Sequence, residues 1–223
     1  MSNDRTQDQS DYLKTEQEEV QALDMHKIPS LKLWSMLIVV TALSQFHRNA
    51  LGVMAPDLMR DFRISPSLLG TVGSMFAIAT ALAQIPVGLL FDKFGVRSTV
   101  TGLLAIATIG AVVEVFAYSG EGLAVARFIL GVGCAANLMG AVALIAVWYP
   151  ATKFLPRLSW IYALSQVGAF MATSPLAAAG NILGWRWTSA VTSIATGTTA
   201  LLFWLWVRDG PSGRGVPDQS TTT

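Results

Sequence analysis

Six long apolar stretches dominate the sequence and restrict the folds it can adopt. They cover approximately residues 32–55, 68–91, 98–118, 122–149, 158–184 and 187–207. Each is close to the ~20 apolar residues that a helix needs to cross a bilayer. Only 13% of the residues are charged, against roughly 25% in soluble domains. The pattern predicts an all-α membrane protein with six transmembrane helices.

Polar segments flank the apolar region. Residues 1–30 hold seven carboxylates and lack the short apolar core and cleavage site of a signal peptide. We interpret them as a disordered acidic cytoplasmic tail. The polar residues 209–223 are interpreted as a second, flexible cytoplasmic tail. The expected organisation is therefore a six-helix bundle over residues 31–208 between two tails.

The distribution of lysine and arginine predicts the orientation. If the N-terminus is cytoplasmic, seven basic residues lie on the inner side: Lys27, Lys32, Lys93, Arg97, Lys153, Arg157 and Arg208. Three lie on the outer side: Arg60, Arg63 and Arg186. This excess favours a multi-pass protein of the cell (inner) membrane with both termini in the cytoplasm.

The residues give little support to enzyme chemistry. The two histidines, His26 and His47, are far apart, and the one cysteine, Cys134, excludes an intramolecular disulfide. There is no phosphate-binding glycine loop, nucleophile elbow or zinc-ligand spacing. A net charge of +1 suggests no nucleic-acid partner. We therefore expect no enzyme activity, no cofactor and no metal.

The loop between spans two and three concentrates charge and glycine in the sequence PVGLLFDKFGVRST, residues 86–99. Gly88 and Gly95 tolerate the unusual backbone angles of a tight turn. Asp92 can accept from free N–H groups at the start of span three. Lys93 and Arg97 hold the loop on the cytoplasmic side. These residues alone leave open whether the loop only fixes topology or has a further role.

The spacing Gly88, Leu90, Asp92, Lys93, Gly95, Arg97 resembles the G-x-L-x-D-[RK]-x-G-[RK]-[RK] signature of the major facilitator superfamily, except at Val96. The span-four sequence RFILGVGCAA resembles the R-x-x-x-G-x-G-x-A pattern of that family, with Leu130 in place of a common glutamine. The resemblance is to the N-terminal six-helix half of these transporters, which is built as a 3+3 inverted repeat.

This resemblance implies secondary transport and assigns the loop to a cytoplasmic gate, with Gly88, Asp92, Lys93, Gly95 and Arg97 as gating residues. It also implies a lipid bilayer, a small solute, a coupling proton or sodium ion, and a second six-helix half or a second copy of the chain as partners. The alternative is a truncated half or membrane interaction module that transports nothing without that second half.

Arg48 is the most informative charge, because it lies well inside span one with no acid one turn away. An unpaired arginine there either binds an anion or extends to the outer surface. The stretch HRNALGVMAPDL resembles span one of the anion:cation symporters and organophosphate:phosphate antiporters, in which an arginine eight residues before a proline lines the anion site. The resemblance implies an organic or phosphorylated anion as substrate.

Four further polar residues are candidate substrate ligands. His47 replaces an acid of the symporter pattern and is interpreted either as a polar cavity residue or as a group that titrates near neutral pH. Spans one and four line the cavity in the family, which makes Gln45, Asn49 and Asn137 second-rank candidates.

Arg127 and Glu114 lie in spans four and three, on either side of the turn near residues 119–121. Antiparallel helices would place them at similar depth, and pairing lowers the cost of inserting either charge. They form either a structural ion pair or, as the family pattern implies for Arg127, part of proton coupling.

Overall fold

The computed structural model describes residues 31–149 and 151–208, so both predicted tails lie outside the described residues. The described residues form eight helices: α1 Leu31–Phe62, α2 Pro66–Phe94, α3 Val96–Val115, α4 Gly120–Cys134, α5 Ala136–Trp148, α6 Ala151–Met171, α7 Ser174–Leu183 and α8 Trp185–Trp206. α4 and α5 meet at Ala135, which keeps helical angles (φ −62°, ψ −34°). α6 and α7 meet at residues 172–173. The eight helices therefore make six spans, and the all-α prediction is confirmed.

Four segments of the described chain are long and apolar enough to cross a membrane by length and composition alone: Pro66–Phe94, Val96–Val115, Gly120–Trp148 and Trp185–Trp206. α1 is longer, with 32 residues, but polar side chains interrupt its middle. The first turns of α6 carry Lys153 and Arg157. Spans one and five are therefore the two that length and composition alone do not identify.

Two helices extend beyond the apolar stretches that predicted them. α1 continues past Pro56 to Phe62, and α6 begins at Ala151 and contains Pro156. A proline inside a transmembrane helix is tolerated because neighbouring groups satisfy the freed carbonyl. Both helices therefore extend past the ends of the apolar stretches.

Three of the contacts between spans agree with the predicted inverted repeat. α2 packs along α4, α1 packs along α6, and α3 packs along α8. Exchanging the first three spans with the last three converts the pair of spans two and four into the pair of spans five and one. The pair of spans three and six maps onto itself. This is the contact pattern of two related three-helix units.

Several glycines bring helix backbones into direct contact, among them Gly133 and Gly168. A Cβ added at Gly133 of α4 would overlap the backbone of Ala107 in α3. One added at Gly168 of α6 would overlap the carbonyl of Ala42 in α1. Small residues permit such approaches where apolar burial gives no driving force between helices in lipid.

The α2–α3 turn differs from its sequence prediction in two respects. Gly95 alone supplies the unusual angle, with φ 78°, and its N–H donates to the Phe91 carbonyl at 3.0 Å. Gly88 was expected to share this role, but that prediction is wrong because α2 continues through Phe94. The expectation that Asp92 caps α3 is also wrong, since Gly95 is the N-cap and no side chain bonds there.

Buried polar groups lie between the apolar clusters of the bundle. One cluster packs residues such as Val40, Leu104 and Phe203. A second, toward the other end of the spans, includes Leu58 and Leu123. The buried charges and their partners occupy the level between these clusters.

Candidate functional site

Glu114 of α3 and Arg127 of α4 form an ion pair inside the bundle. Arg127 Nη2 lies 3.0 Å from Glu114 Oε1, and the side chains are only 2% and 7% exposed, respectively. The turn between the antiparallel helices α3 and α4 sets both residues at one depth. Each side chain is the counterion of the other, and neither lipid nor an apolar side chain could take that place.

The same guanidinium reaches a third helix. Arg127 Nη1 donates to the backbone carbonyl of His47 in α1 at 2.9 Å. The His47 ring Nε2 lies 3.0 Å from Thr196 Oγ1 in α8, and that hydroxyl donates to the Thr192 carbonyl at 2.7 Å. Because the hydroxyl proton is already used, His47 Nε2 is the donor. The network therefore joins α1, α3, α4 and α8.

Arg48 lies on the exposed side of α1. We call this side, which carries Arg48, Asn49 and Gly52, the open side. The Arg48 side chain is exposed, and it makes no hydrogen bond or ion pair with another residue of the described chain. Asn49 is also exposed, and its Nδ2 donates to the Gln45 carbonyl of the same helix at 2.7 Å. Gly52, one turn after Arg48, has open space around it. The Arg48 guanidinium is thus exposed beside polar groups in the middle of α1.

Two of the five predicted substrate ligands do not reach this open side. Asn137 is 1% exposed, and its Nδ2 donates to the Val40 carbonyl of α1 at 3.2 Å. His47 is 4% exposed and faces α8. Both residues connect helices, so the interpretation of His47 as a cavity residue and of Asn137 as a ligand does not match their burial. Arg48, Asn49 and the half-buried Gln45 remain toward the open side.

The predicted gating residues separate into two groups. Asp92 and Lys93 are exposed, and Asp92 forms no ion pair with a described residue. Arg97 Nε and Nη2 donate to the Trp204 carbonyl at 2.9 and 2.6 Å, and its Cζ lies 4.1 Å from the centre of the Trp204 ring. Arg97 therefore ties the start of α3 to the last turns of α8.

No motif of the sequence pointed to the hydroxyl groups that connect helices. Thr196 binds His47, and Thr80 Oγ1 of α2 lies 3.0 Å from the Gly131 carbonyl of α4. A signal was present for α8: hydroxyl residues recur along one side of it and are buried, namely Thr188, Ser189, Ser193, Thr196 and Thr199. Among the described residues, no group of His, Cys, Asp or Glu is arranged to hold a metal ion.

We predict that removing one partner of the ion pair destabilises the protein more than neutralising both. Glu114→Gln or Arg127→Met alone leaves a buried charge without its counterion, and breaking a buried pair in this way costs about 3–5 kcal/mol. Thermal unfolding in detergent measures the effect. The exposed pair of Arg60 and Asp57, 3.0 Å apart, is the matched control and should contribute little. Additive losses in the double variant would show that the two buried charges are not coupled.

Comparison with known proteins identifies the architecture. A family model described as Major Facilitator Superfamily matches residues 37–222. A solved bacterial homologue of the human lysosomal transporter Spinster, in an inward-facing and unoccupied conformation, superposes with a TM-score of 0.70. That match is 24% identical and covers 84% of this chain and 45% of the other, so it shows a shared fold.

Curated relatives agree with this match. A quinolone resistance transporter of Acinetobacter baumannii is 27% identical over 83% of this chain and 44% of its own length. The probable galactarate/D-glucarate transporter GudP of Escherichia coli is 28% identical over 74% and 37%, respectively. The probable sulfoacetate transporter SauU of Cupriavidus necator is 26% identical over 81% and 43%. The chain spans less than half the length of each of these relatives. With six packed spans and a family model that matches most of its length, the chain belongs to the Major Facilitator Superfamily.

Proposed function

We propose that the chain is one half of a secondary transporter for a small organic anion and that Arg48 binds the anion. The observation that carries the proposal is the exposed guanidinium of Arg48, which has no described partner. An arginine in the middle of a transmembrane helix costs ~2.5–3.5 kcal/mol on insertion scales. An anion in a water-accessible cavity would offset this cost, and the planar fork of arginine suits carboxylate or phosphate.

The names of the relatives support this substrate class. Galactarate, D-glucarate and sulfoacetate all carry carboxylate groups. The relative named for quinolone resistance favours a second candidate, a drug-like aromatic solute. One panel of ligands, with sugar acids in one arm and a quinolone in the other, separates the two.

The polar neighbours of Arg48 have supporting roles in this proposal. Asn49 and Gln45 lie on the open side, where they can contact hydroxyl groups of a sugar acid. His47 and Asn137 hold helices together. The Glu114–Arg127 pair is assigned a structural role, since each buried charge has the other as its counterion.

The α2–α3 loop is proposed to form part of a gate with a second six-helix half. Asp92 and Lys93 are exposed and available to that half, and the open space beside Gly88 permits close approach of a partner helix. Gly95 makes the turn, and Arg97 anchors the loop to α8. In this proposal Arg97 fixes the position of the loop, and the Asp92 carboxylate is available to the second half.

The proposed setting is the cell (inner) membrane with both termini in the cytoplasm. The described end that carries the α2–α3 and α5–α6 connections holds Lys32, Lys93, Arg97, Lys153, Arg157 and Arg208, with Asp92 as its acid. The opposite end balances Arg60, Arg63 and Arg186 against Asp57, Asp61 and Glu121. The positive end is expected to face the cytoplasm.

We predict a graded loss of binding at Arg48. Arg48→Lys should weaken D-glucarate binding and retain part of it, because lysine keeps the charge and loses the fork. Arg48→Gln should abolish binding and leave the helix content and melting temperature near those of the parent. Calorimetry on the chain in lipid nanodiscs measures affinity, with Arg60→Gln on the same helix as control. Binding by Arg48→Gln equal to the parent, or no anion binding by the parent, would contradict the proposal.

We predict that Asp92→Asn lowers the rate of D-glucarate uptake and leaves its affinity unchanged, because it alters the balance of inward and outward states. Uptake is measured in proteoliposomes under an imposed proton or sodium gradient, with Glu121→Gln, an exposed acid at the other end, as control. Binding without uptake by the parent would identify a half that needs a second half or second copy. Parental uptake rates in Asp92→Asn would leave the loop only a topological role.

We predict that the α2–α3 loop is cytoplasmic and the α3–α4 turn external. In a Cys134→Ala background, an impermeant maleimide applied to intact cells should label the Glu121→Cys variant. It should label the Ser98→Cys variant only after the cells are opened. The reverse labelling pattern would overturn the orientation.

A further inference from the structure

His47, which precedes Arg48, forms hydrogen bonds with two other helices. Its backbone carbonyl accepts from Arg127 Nη1 of α4 at 2.9 Å. Its ring binds Thr196 of α8 at 3.0 Å. Successive residues of an α-helix are about 100° apart around its axis. The Arg48 side chain therefore leaves α1 on the open side while the backbone that carries it is fixed from the closed side.

The hydrogen-bond ladder of α1 is interrupted close to this point. Pro56 lies inside the helix and has no N–H to donate to the Gly52 carbonyl, one turn after Arg48. A proline of this kind is a common cause of helix bending. The segment that carries Arg48 therefore depends on contacts with other helices to keep its position.

The contact from Arg127 is suited to this role because its donor is itself immobilised. Glu114 Oε1 holds Arg127 Nη2 at 3.0 Å, and both side chains are buried. A second nitrogen of the same guanidinium, Nη1, donates to α1. A charged donor to a buried carbonyl gives a stronger bond than a neutral one.

We propose that Arg127 is a positioning residue for the anion site: the Glu114–Arg127 pair fixes the α1 backbone at His47 and so sets the position of the Arg48 guanidinium. This inference rests on the proposed function of Arg48 and adds a residue that never touches the substrate. The hydrogen bond from Arg127 to the His47 carbonyl is the tether of α1. When the tether is lost, α1 can bend near Pro56, and the Arg48 guanidinium is displaced from its position in the anion site.

The first test is a double-mutant cycle on D-glucarate affinity. The Glu114→Gln/Arg127→Met variant removes the tether without leaving an unpaired buried charge and should weaken binding about tenfold, within the usual range of coupling between contacting groups. In the Arg48→Lys background the same change should cause little further loss, because Arg127 acts through Arg48. The control is Thr80→Val, which removes a buried α2–α4 contact with Gly131 and none to α1.

The second test needs no ligand. Spin labels are attached in Gly52→Cys/Gly102→Cys/Cys134→Ala, since both glycines are exposed and a Cβ added at either meets no atom within 4 Å. Double electron–electron resonance spectroscopy then gives the distribution of distances between the label on α1 and the label on α3. It should broaden or shift when Glu114→Gln/Arg127→Met is added. It should stay unchanged when Thr80→Val is added.

The outcomes separate the two proposals. If Arg48→Gln abolishes binding but the Glu114→Gln/Arg127→Met variant binds as the parent does, the anion site stands and the positioning role is wrong. An unchanged distance distribution in that variant also overturns the positioning role. If Arg48→Gln binds as well as the parent, the anion site itself fails, and the positioning role fails with it.

Discussion

The guanidinium of Arg127 is the buried charge around which four of the helices are assembled. It pairs with Glu114 of α3, donates to the backbone of α1 at His47, and through His47 reaches Thr196 of α8. None of these partners can be replaced by lipid, because the hydrocarbon core offers neither acceptors nor counterions. Separation of these helices would expose a charge that nothing in the bilayer satisfies, so the network favours one arrangement of spans.

The two intramembrane arginines differ in the way their charge is balanced, and the difference corresponds to their proposed roles. Arg127 has an acid within hydrogen-bond distance, and its side chain is 2% exposed. Arg48 is exposed and has no such acid in the described chain. A paired charge stabilises structure only while its partner stays, whereas an unpaired one leaves its electrostatic potential available to a ligand. We therefore propose that Arg48 binds the anion and that Arg127 fixes the position of α1.

Hydropathy and charge were sufficient to predict the spans, but they carried no information on the rotation of each helix. The fold followed from six apolar stretches, and the relative depth of Glu114 and Arg127 followed from their distances to one turn. Rotation about the helix axis decides that His47 faces α8 while Arg48 faces the open side. It also places Asn137 against α1. The Trp204 carbonyl that binds Arg97 is a backbone group 107 positions away, which no local motif specifies.

We propose that the open side of α1 is not an ordinary lipid-facing surface. Lipid would accept the exposed apolar side chains of the outer helices, but it gives the guanidinium of Arg48 neither water nor an anion, and Asn49 already satisfies its donor on its own helix. The cost of an uncompensated arginine, ~2.5–3.5 kcal/mol, is large against a typical stability of about 5–15 kcal/mol. A water-filled cavity closed by further helices removes that cost. The relatives are more than twice as long as the region this chain matches, which is consistent with a second six-helix half as the other wall.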